Sequence, residues 1–422
     1  MGKQIAALEI SNRYYELVIG YVLDNKVDIL YKVKHQLSVP FKDGDIFDLG
    51  SLSDDLSKIN NIEVTASNHK LTITVNEIVL VLPSYGLEVY KTVKTTNTVS
   101  NISKIDRIDI SNALALVKKE KLPNLNNTLV DIVPNRFILD DNKQYTIPPL
   151  NEVSQNITID ANVYTLPKKM VNDMKTVCER AGLRVRREVI SPIGISNLLA
   201  GSNFKYPTYL LVDFSNKTTT LSFIGRNTVY ASNFFSIGID DLIEKYMSDF
   251  QITREKATEI KNVYGLDLRK TDYNPSTIDS IGSDGVRRRY NKEDISNSTL
   301  VFLKNWINFF NGCFKTILDQ YESLASEIPL VFVGEGSRLN GLKEYVLKMY
   351  NSNPLEILTI PTVGCRSSEF IGCLGAIYLS STYRGALEDE SKNHVAELNR
   401  IGDSNSSKDK AKEKYDELRD EL

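Results

Sequence analysis

Three short turns hold the residues whose types and spacing could do chemistry. The clearest follows the apolar run Leu210-Leu211-Val212. That run ends at Asp213, passes through Ser215-Asn216-Lys217-Thr218, and resumes an extended pattern at Leu221, Ser222 and Phe223. Backbone N–H groups of such a turn can point at an anion, and a carboxylate at the strand end can hold Mg²⁺ through water. Lys217 could reach a phosphate as a point charge. The bland alternative is an ordinary polar hairpin. A second turn of this kind lies near the N-terminus: Ile5–Ile10, with Glu9, leads into Ser11-Asn12-Arg13, and Tyr15–Val22 leads out. The third follows the buried-type strand Leu330–Val333 and reads Gly334-Glu335-Gly336-Ser337, ahead of a helical Leu342–Tyr350. Glycines there let a ligand approach the backbone, and a helix N-terminus favours an anion. The sharpest basic cluster, Arg287-Arg288-Arg289, lies apart from these turns in a polar stretch. It reads either as a solvated loop or as a site for an acidic partner peptide.

Two strand–turn–strand units that both begin with a carboxylate predict a duplicated fold, with a ligand between similar halves. Ile5 to about Val33 reads as a three-strand meander, and Asp48–Ile59 as an amphipathic helix on Leu49, Leu52, Leu56 and Ile59. Val64–Val75 and Ile78–Leu82 read as strands. Tyr85 to about Asn162 reads as an inserted module. It has a strand at Glu88–Val93, a helix from Arg107 through Lys119, and short strands at Leu129–Ile132, Arg136–Leu139 and Ile157–Ile159. Helix is expected over Val163–Ala181 and again after Pro192. In the second half, helices are expected over Ile239–Phe250, from Thr253 to Tyr264, and over Glu293–Tyr321, where Trp306, Phe309 and Phe310 read as core. Leu266 to Asn291 reads as a loop or hairpin zone, and Glu369–Ser380 as the last helix.

With 422 residues the chain is too long for one core. It is 41% hydrophobic and 25% charged with net charge −3, which gives no reason to expect nucleic acid. The four cysteines lack metal-ligand spacing and read as buried thiols in a reducing compartment. No stretch reaches the roughly 18 apolar residues a spanning helix needs, so a cytoplasmic protein is expected.

The order of these pieces resembles the superfamily of actin, the heat-shock chaperone ATPases and the sugar kinases, and within it FtsA, the bacterial cell-division family. The resemblance runs from about Ile5 to Tyr378. It rests on Gly44–Asp48, Ile132–Asp140 before Ile147-Pro148, Ala181–Leu183, Val212-Asp213, Ser236–Gly238, Ala257…Lys261…Tyr264-Gly265 and Gly334–Ser337. It implies an α/β, actin-like, two-lobed ATPase fold with an FtsA-type insert. The lobes would be 1–84 with 163–204, and 205–239 with 303–384. The insert would be 85–162, a small subdomain 240–302, and a charged tail 385–422. Implied ligands are ATP and Mg, held by Ser11, Asn12, Arg13, Asp213, Ser215, Asn216, Lys217, Thr218, Lys261 and Gly334–Ser337. Where the family's first turn reads Asp-x-Gly-Thr-Ser-Lys, this chain has Glu9, Ser11, Asn12, Arg13 and Tyr14. Where its second reads Asp-x-Gly-Gly-Gly-Thr-Thr-Asp, this chain has Asp213, Ser215, Asn216, Lys217, Thr218, Thr219 and Thr220. A Cβ in place of glycine narrows such turns. The expectation is therefore nucleotide binding with little or no hydrolysis.

Implied partners are the C-terminal tail of FtsZ, met by Arg287, Arg288 and Arg289, and further copies of the chain in a filament, at the cytoplasmic face of the membrane at the division site. The family ends in a membrane-surface helix. Here Lys408–Leu422 has a narrow stripe (Ala411, Tyr415, Leu418, Leu422) and ends acidic, which suits disorder or protein contact better than lipid. Other readings are a PilM-like adaptor of type IV pili and an active ATPase of the actin or chaperone type. A sugar kinase would need a catalytic carboxylate that the sequence does not nominate.

Overall fold

The computed structural model describes residues 4–66, 69–99, 102–267, 276–281, 285–321, 327–351, 353–358, 362, 365 and 368–382. The tail 385–422, read above as a flexible end or weak partner helix, lies outside the described residues. The chain forms two compact units. One comprises Ile5–Gly86 with Asn172–Tyr378, and the other centres on Leu87–Val171.

The first unit begins with β1 (Ile5–Ile10), β2 (Tyr14–Leu23) and β3 (Lys26–Gln36), an antiparallel meander. Ile5, Ala7, Leu8 and Ile10 are buried, so β1 is covered on both faces. Asp24 and Asn25 take positive φ (49° and 60°) between β2 and β3, the backbone of a two-residue hairpin turn that such short polar side chains tolerate. Helix α1 (Leu49–Ser57) is capped by Asp48, which accepts from the Ser51 N–H. The hairpin β4 (Asn61–Ala66) and β5 (His69–Thr74) precedes β6 (Glu77–Leu82).

The Leu87–Val171 unit holds β7 (Glu88–Asn97), α2 (Arg107–Lys118), β8 (Asn127–Leu139), β9 (Gln144–Tyr145) and β10 (Asn156–Pro167), in sheet order β7-β10-β8-β9. Asp106 and Asp109 form a reciprocal cap on α2, and Ile110, Ala113, Leu114 and Val117 pack on Ile157, Ile159, Ala161 and Val163. Two local expectations change. The two short strands expected in 129–139 are one strand, because Pro134 pairs with Ala161 and Arg136 with Asp160, leaving Asn135 in a bulge that absorbs the proline. The helix expected from Val163 starts at Lys168 as α3 (Lys168–Arg180). Val163–Leu166 stay in β10, fully buried, with Val163–Thr165 paired on both sides and Leu166 paired with β8.

The first unit resumes with β11 (Arg184–Ile190) and α4 (Ser191–Gly201), then β12 (Thr208–Phe214), β13 (Thr219–Gly225) and β14 (Thr228–Phe235). Helices α5 (Ile239–Phe250) and α6 (Arg254–Val263) lead to the hairpin β15 (Ser276–Ile281) and β16 (Arg287–Asn291), and then to α7 (Lys292–Gln320). The chain closes with β17 (Leu330–Val333), α8 (Leu342–Met349), β18 (Leu355–Ile357) and α9 (Ile371–Thr382).

The duplication lies in the sheets. One has the order β3-β2-β1-β6-β11 and the other β14-β13-β12-β17-β18. In each, three antiparallel strands continue into two parallel ones. Each meander also makes its second turn through two positive-φ residues, Asp24-Asn25 and Arg226-Asn227. Trp306 anchors the second core: it is fully buried, donates Nε1–H to Thr219 Oγ1 at 2.9 Å, and lies 5.1 Å from the Phe214 ring. Phe310 is buried beside it, whereas Phe309, expected in the core, is half-exposed against Phe235. Helices α4 and α9 cross at Gly194 and Gly375, where a Cβ on Gly194 would lie 3.0 Å from the Gly375 carbonyl carbon. The four cysteines are free thiols, and Cys313 alone of them is only partly buried. Among the described residues no helix is long and apolar enough to cross a membrane.

Candidate functional site

The turns that end β1 and β12 face each other within the first unit. Asp213 is the penultimate residue of β12, and its carboxylate accepts a 2.6 Å hydrogen bond from the Ser215 hydroxyl. The turn is closed by the Ser215 N–H donating to the Thr218 carbonyl. It is then pinned by α5, whose Ile239 and Asp240 N–H groups donate to the carbonyls of Ser215 (3.0 Å) and Asn216 (2.8 Å). Gly238 makes that contact feasible, since a Cβ there would strike the Asn216 carbonyl and the Lys217 nitrogen. The start of α5 is thus spent on the turn itself. In the opposite turn Ser11 does comparable work: its N–H and hydroxyl both donate to the Tyr14 carbonyl at 2.9 Å.

Two small cavities lie between the turns. One, of about 30 Å³, is lined by Glu9, Ser11, Glu16, Lys34, Asp213, Ser215, Asn216, Gly334, Glu335 and Glu369 among others. The other, of about 40 Å³, shares Glu9, Ser11, Asp213 and Ser215 and adds Tyr85, Thr218 and Thr220. Each has room for roughly two or three waters. Gly334, at φ 81°, allows the backbone after β17 to pass against Asp213, where any Cβ would strike the carboxylate.

The expected residues fall into three groups. Ser11, Asp213, Ser215, Asn216, Thr218, Gly334 and Glu335 line the cavities. Asn12, Arg13, Lys261, Gly336 and Ser337 stand around them. Asn12 is 2% exposed and its side-chain amide has no hydrogen-bond partner at either atom. Gly336 lies under the Phe214 ring, and Ser337 donates to the Gly334 carbonyl at 2.7 Å. Lys217 belongs to neither group. It was expected to reach toward a phosphate, but its ammonium bonds Glu244 at 2.6 Å and approaches Asp241 at 3.6 Å, because the acidic first turns of α5 lie alongside. Arg287 and Arg289 lie on the exposed face of β16, apart from the turns. They share the carboxylate of Asp279 at 3.0 and 3.1 Å. Arg288 alternates with them, less exposed, on the same strand.

Four charged residues of the cleft escaped the sequence reading: Glu16, Lys34, Asp240 and Glu369. Lys34 bonds Glu335 at 2.7 Å and Glu369 at 3.0 Å, and lies 3.6 Å from Glu16. The register pairs Glu16 directly with Lys34 across β2 and β3. A charged pair inside two apolar strands was the available signal, and only the register joins its halves.

The electrostatics follow from burial. Burial pushes Glu9 well above the usual carboxylate range, helped by Glu16 and Asp213. Asp213 is pushed up the same way against its bond from Ser215. Burial raises Glu16 to about 7, with Glu369 and Glu335 adding to it and Lys34 opposing. Glu335 goes the other way: burial acts to raise it, yet Lys34 and Lys261 outweigh that and hold it at about 2. Five carboxylates, Glu9, Glu16, Asp213, Glu335 and Glu369, therefore face two lysines. Such a site suits a cation, or a phosphate that brings one. Glu9 and Asp213 line both cavities and are the carboxylates that could hold a water-bound cation there. Among the described residues no cluster of three or more metal-ligating side chains is found.

No family model matches the chain. Among curated relatives it is 20% identical to the cell division protein FtsA of Streptococcus pneumoniae over 397 residues, covering 91% of this chain and 83% of that one. It is also 20% identical to FtsA of Enterococcus hirae over 379 residues, covering 89% and 82%, and to FtsA of Staphylococcus epidermidis over 321 residues, covering 75% and 67%. Among solved structures, the PilM–PilN type IV pilus biogenesis complex matches with a TM-score of 0.57 at 16% identity, covering 91% of this chain and all of that one. MreB5 of Spiroplasma citri bound to AMPPNP matches with a TM-score of 0.54 at 12% identity, covering 90% and 96%. The chain has the actin-like ATPase fold, and its sequence resembles FtsA over most of its length.

Proposed function

We propose that this actin-fold, FtsA-like chain is a cytoskeletal adaptor of cell division. It binds the C-terminal tail of FtsZ and self-associates into filaments, with nucleotide held between the two halves and turned over slowly or not at all. The observation that carries this reading is the FtsA resemblance across 91% of the chain, on a fold with two matching sheets. The partner surface we assign is the outer face of β15 and β16. Arg287 and Arg289 have side chains 63% and 64% exposed and one carboxylate between them, and Ile281 and Val286 are exposed alongside. That face suits an acidic peptide with apolar residues. The charges set register and on-rate, and the apolar contacts hold it.

Toward nucleotide, the chain offers Asn216, and Ser11 and Ser215 once their hydroxyls give up their present bonds to Tyr14 and Asp213, with Glu9 and Asp213 for a water-bound Mg²⁺. The metal would supply positive charge that the acidic lining denies to a bare polyphosphate. Ser11 and Ser215 fill turn positions with hydroxyls that are already bonded, to Tyr14 and Asp213.

Titration with an FtsZ tail peptide tests the partner. Arg287→Ala with Arg289→Ala should weaken binding by roughly tenfold or more. No affinity in the wild type, or affinity unchanged by the double substitution, overturns the assignment. The PilM–PilN match supports a second reading, an adaptor for a membrane-complex peptide. In that case a peptide of that kind should bind with no dependence on Arg287 or Arg289.

A further inference from the structure

Two carboxylates of the second half each stand between a cation of their own half and one of the first. Glu335 meets Lys261 of α6 at 3.1 Å and Lys34 of β3 at 2.7 Å. Asp240 meets Arg254 of α6 at 2.7 Å and Arg13 of the first turn at 3.8 Å. The arrangement thus occurs twice between the two halves, once at the wall of the cavity and once beside the Ser215–Thr218 turn. Lys34 is further engaged by Glu369 at 3.0 Å and lies over the Tyr14 ring at 4.6 Å. Tyr14 stands where the resemblance places a lysine, so the positive charge comes from the neighbouring strand instead. Lys34 and Arg13 of the first half thus each lie within ion-pair distance of a carboxylate of the second.

We propose that Glu335 and Asp240 are built-in competitors for a phosphate ligand, and that Lys34 and Arg13 are the cations such a ligand must take from them. This rests on the nucleotide reading above. A carboxylate and a phosphate oxygen use the same donors, and a carboxylate left beside a bound phosphate also repels it. Removing the competitor's charge while keeping its shape should therefore free the cation and strengthen binding. A purely structural ion pair would behave differently. Its neutralisation would loosen the cleft and weaken binding or leave it alone.

The experiment is calorimetric titration with Mg-ATP of the full chain and of Glu335→Gln and Asp240→Asn, with melting curves to establish folding. The expected result is roughly tenfold tighter binding in each variant. Lys261 is buried and would lose Glu335 as its partner. Glu369→Gln is therefore measured too, since it takes one carboxylate from Lys34 and leaves the Glu335–Lys261 pair intact. A smaller gain in the same direction is expected from it. If the wild type binds nothing but the variants bind, the nucleotide reading of the native protein fails and the competitor proposal stands. If the wild type binds and the folded variants bind no more tightly, the proposal is overturned and the nucleotide reading survives. If none binds, both fall.

Discussion

Glu16 and Glu335 touch the same lysine and titrate in opposite directions. Glu16, raised to about 7 from an ordinary 4.5, contributes stability that is fully present below pH 4.5 and lost as pH rises through about 7. Glu16→Gln should therefore be more stable than the wild type at pH 8, by on the order of 1–3 kcal/mol, with the advantage shrinking toward pH 4.5. Thermal melts across that window would show it, and a variant less stable at pH 8 than at pH 5 relative to wild type would contradict it. Glu335, held at about 2, contributes stability above pH 4.5 that is lost as pH falls through about 2. Glu335→Gln should cost on the order of 1–3 kcal/mol at pH 7, and the difference should close in acid. Denaturant unfolding at both pH values checks the sign. Glu9 and Asp213 were legible because a carboxylate closing an apolar strand before a polar turn is a local pattern. Glu16 and Lys34 were not, since 18 positions separate two charges that only the β2–β3 register brings together.

The helix crossing of α4 and α9 depends on two residues without side chains. Gly194 and Gly375 touch backbone to backbone. Gly375→Leu should destabilise the protein by about 1–3 kcal/mol through overpacking, measured by denaturant unfolding. An unchanged midpoint would mean the helices can part without loss. Most helices were legible from period and caps, and Ile239–Phe250 matches the expected range residue for residue. Strand limits were harder to read. The gap expected between Ile132 and Arg136 is closed by a bulge that takes in Pro134, and 163–166, expected in a helix, pair as strand instead. The ion pair of Lys217 was hidden for a related reason, since its partner Glu244 lies on an element whose docking angle no local pattern gives.

At the scale of the whole molecule, two sheets of matching order bring matching turns together around two small cavities, and the duplication was legible because both turns begin with a carboxylate. The pairing of Glu335 and Asp240 with cations of the opposite half was not, being a property of how the halves meet. On the function proposed, this meeting place holds a nucleotide together with its metal. Calorimetry with millimolar Mg-ATP tests it most directly, with Asp213→Ala and excess EDTA as controls and the melting temperature as a second readout. The account predicts binding that raises the melting temperature of the wild type and disappears both without Mg²⁺ and in Asp213→Ala. Absence of binding by the folded wild type, or binding indifferent to Mg²⁺ and to Asp213, would contradict it.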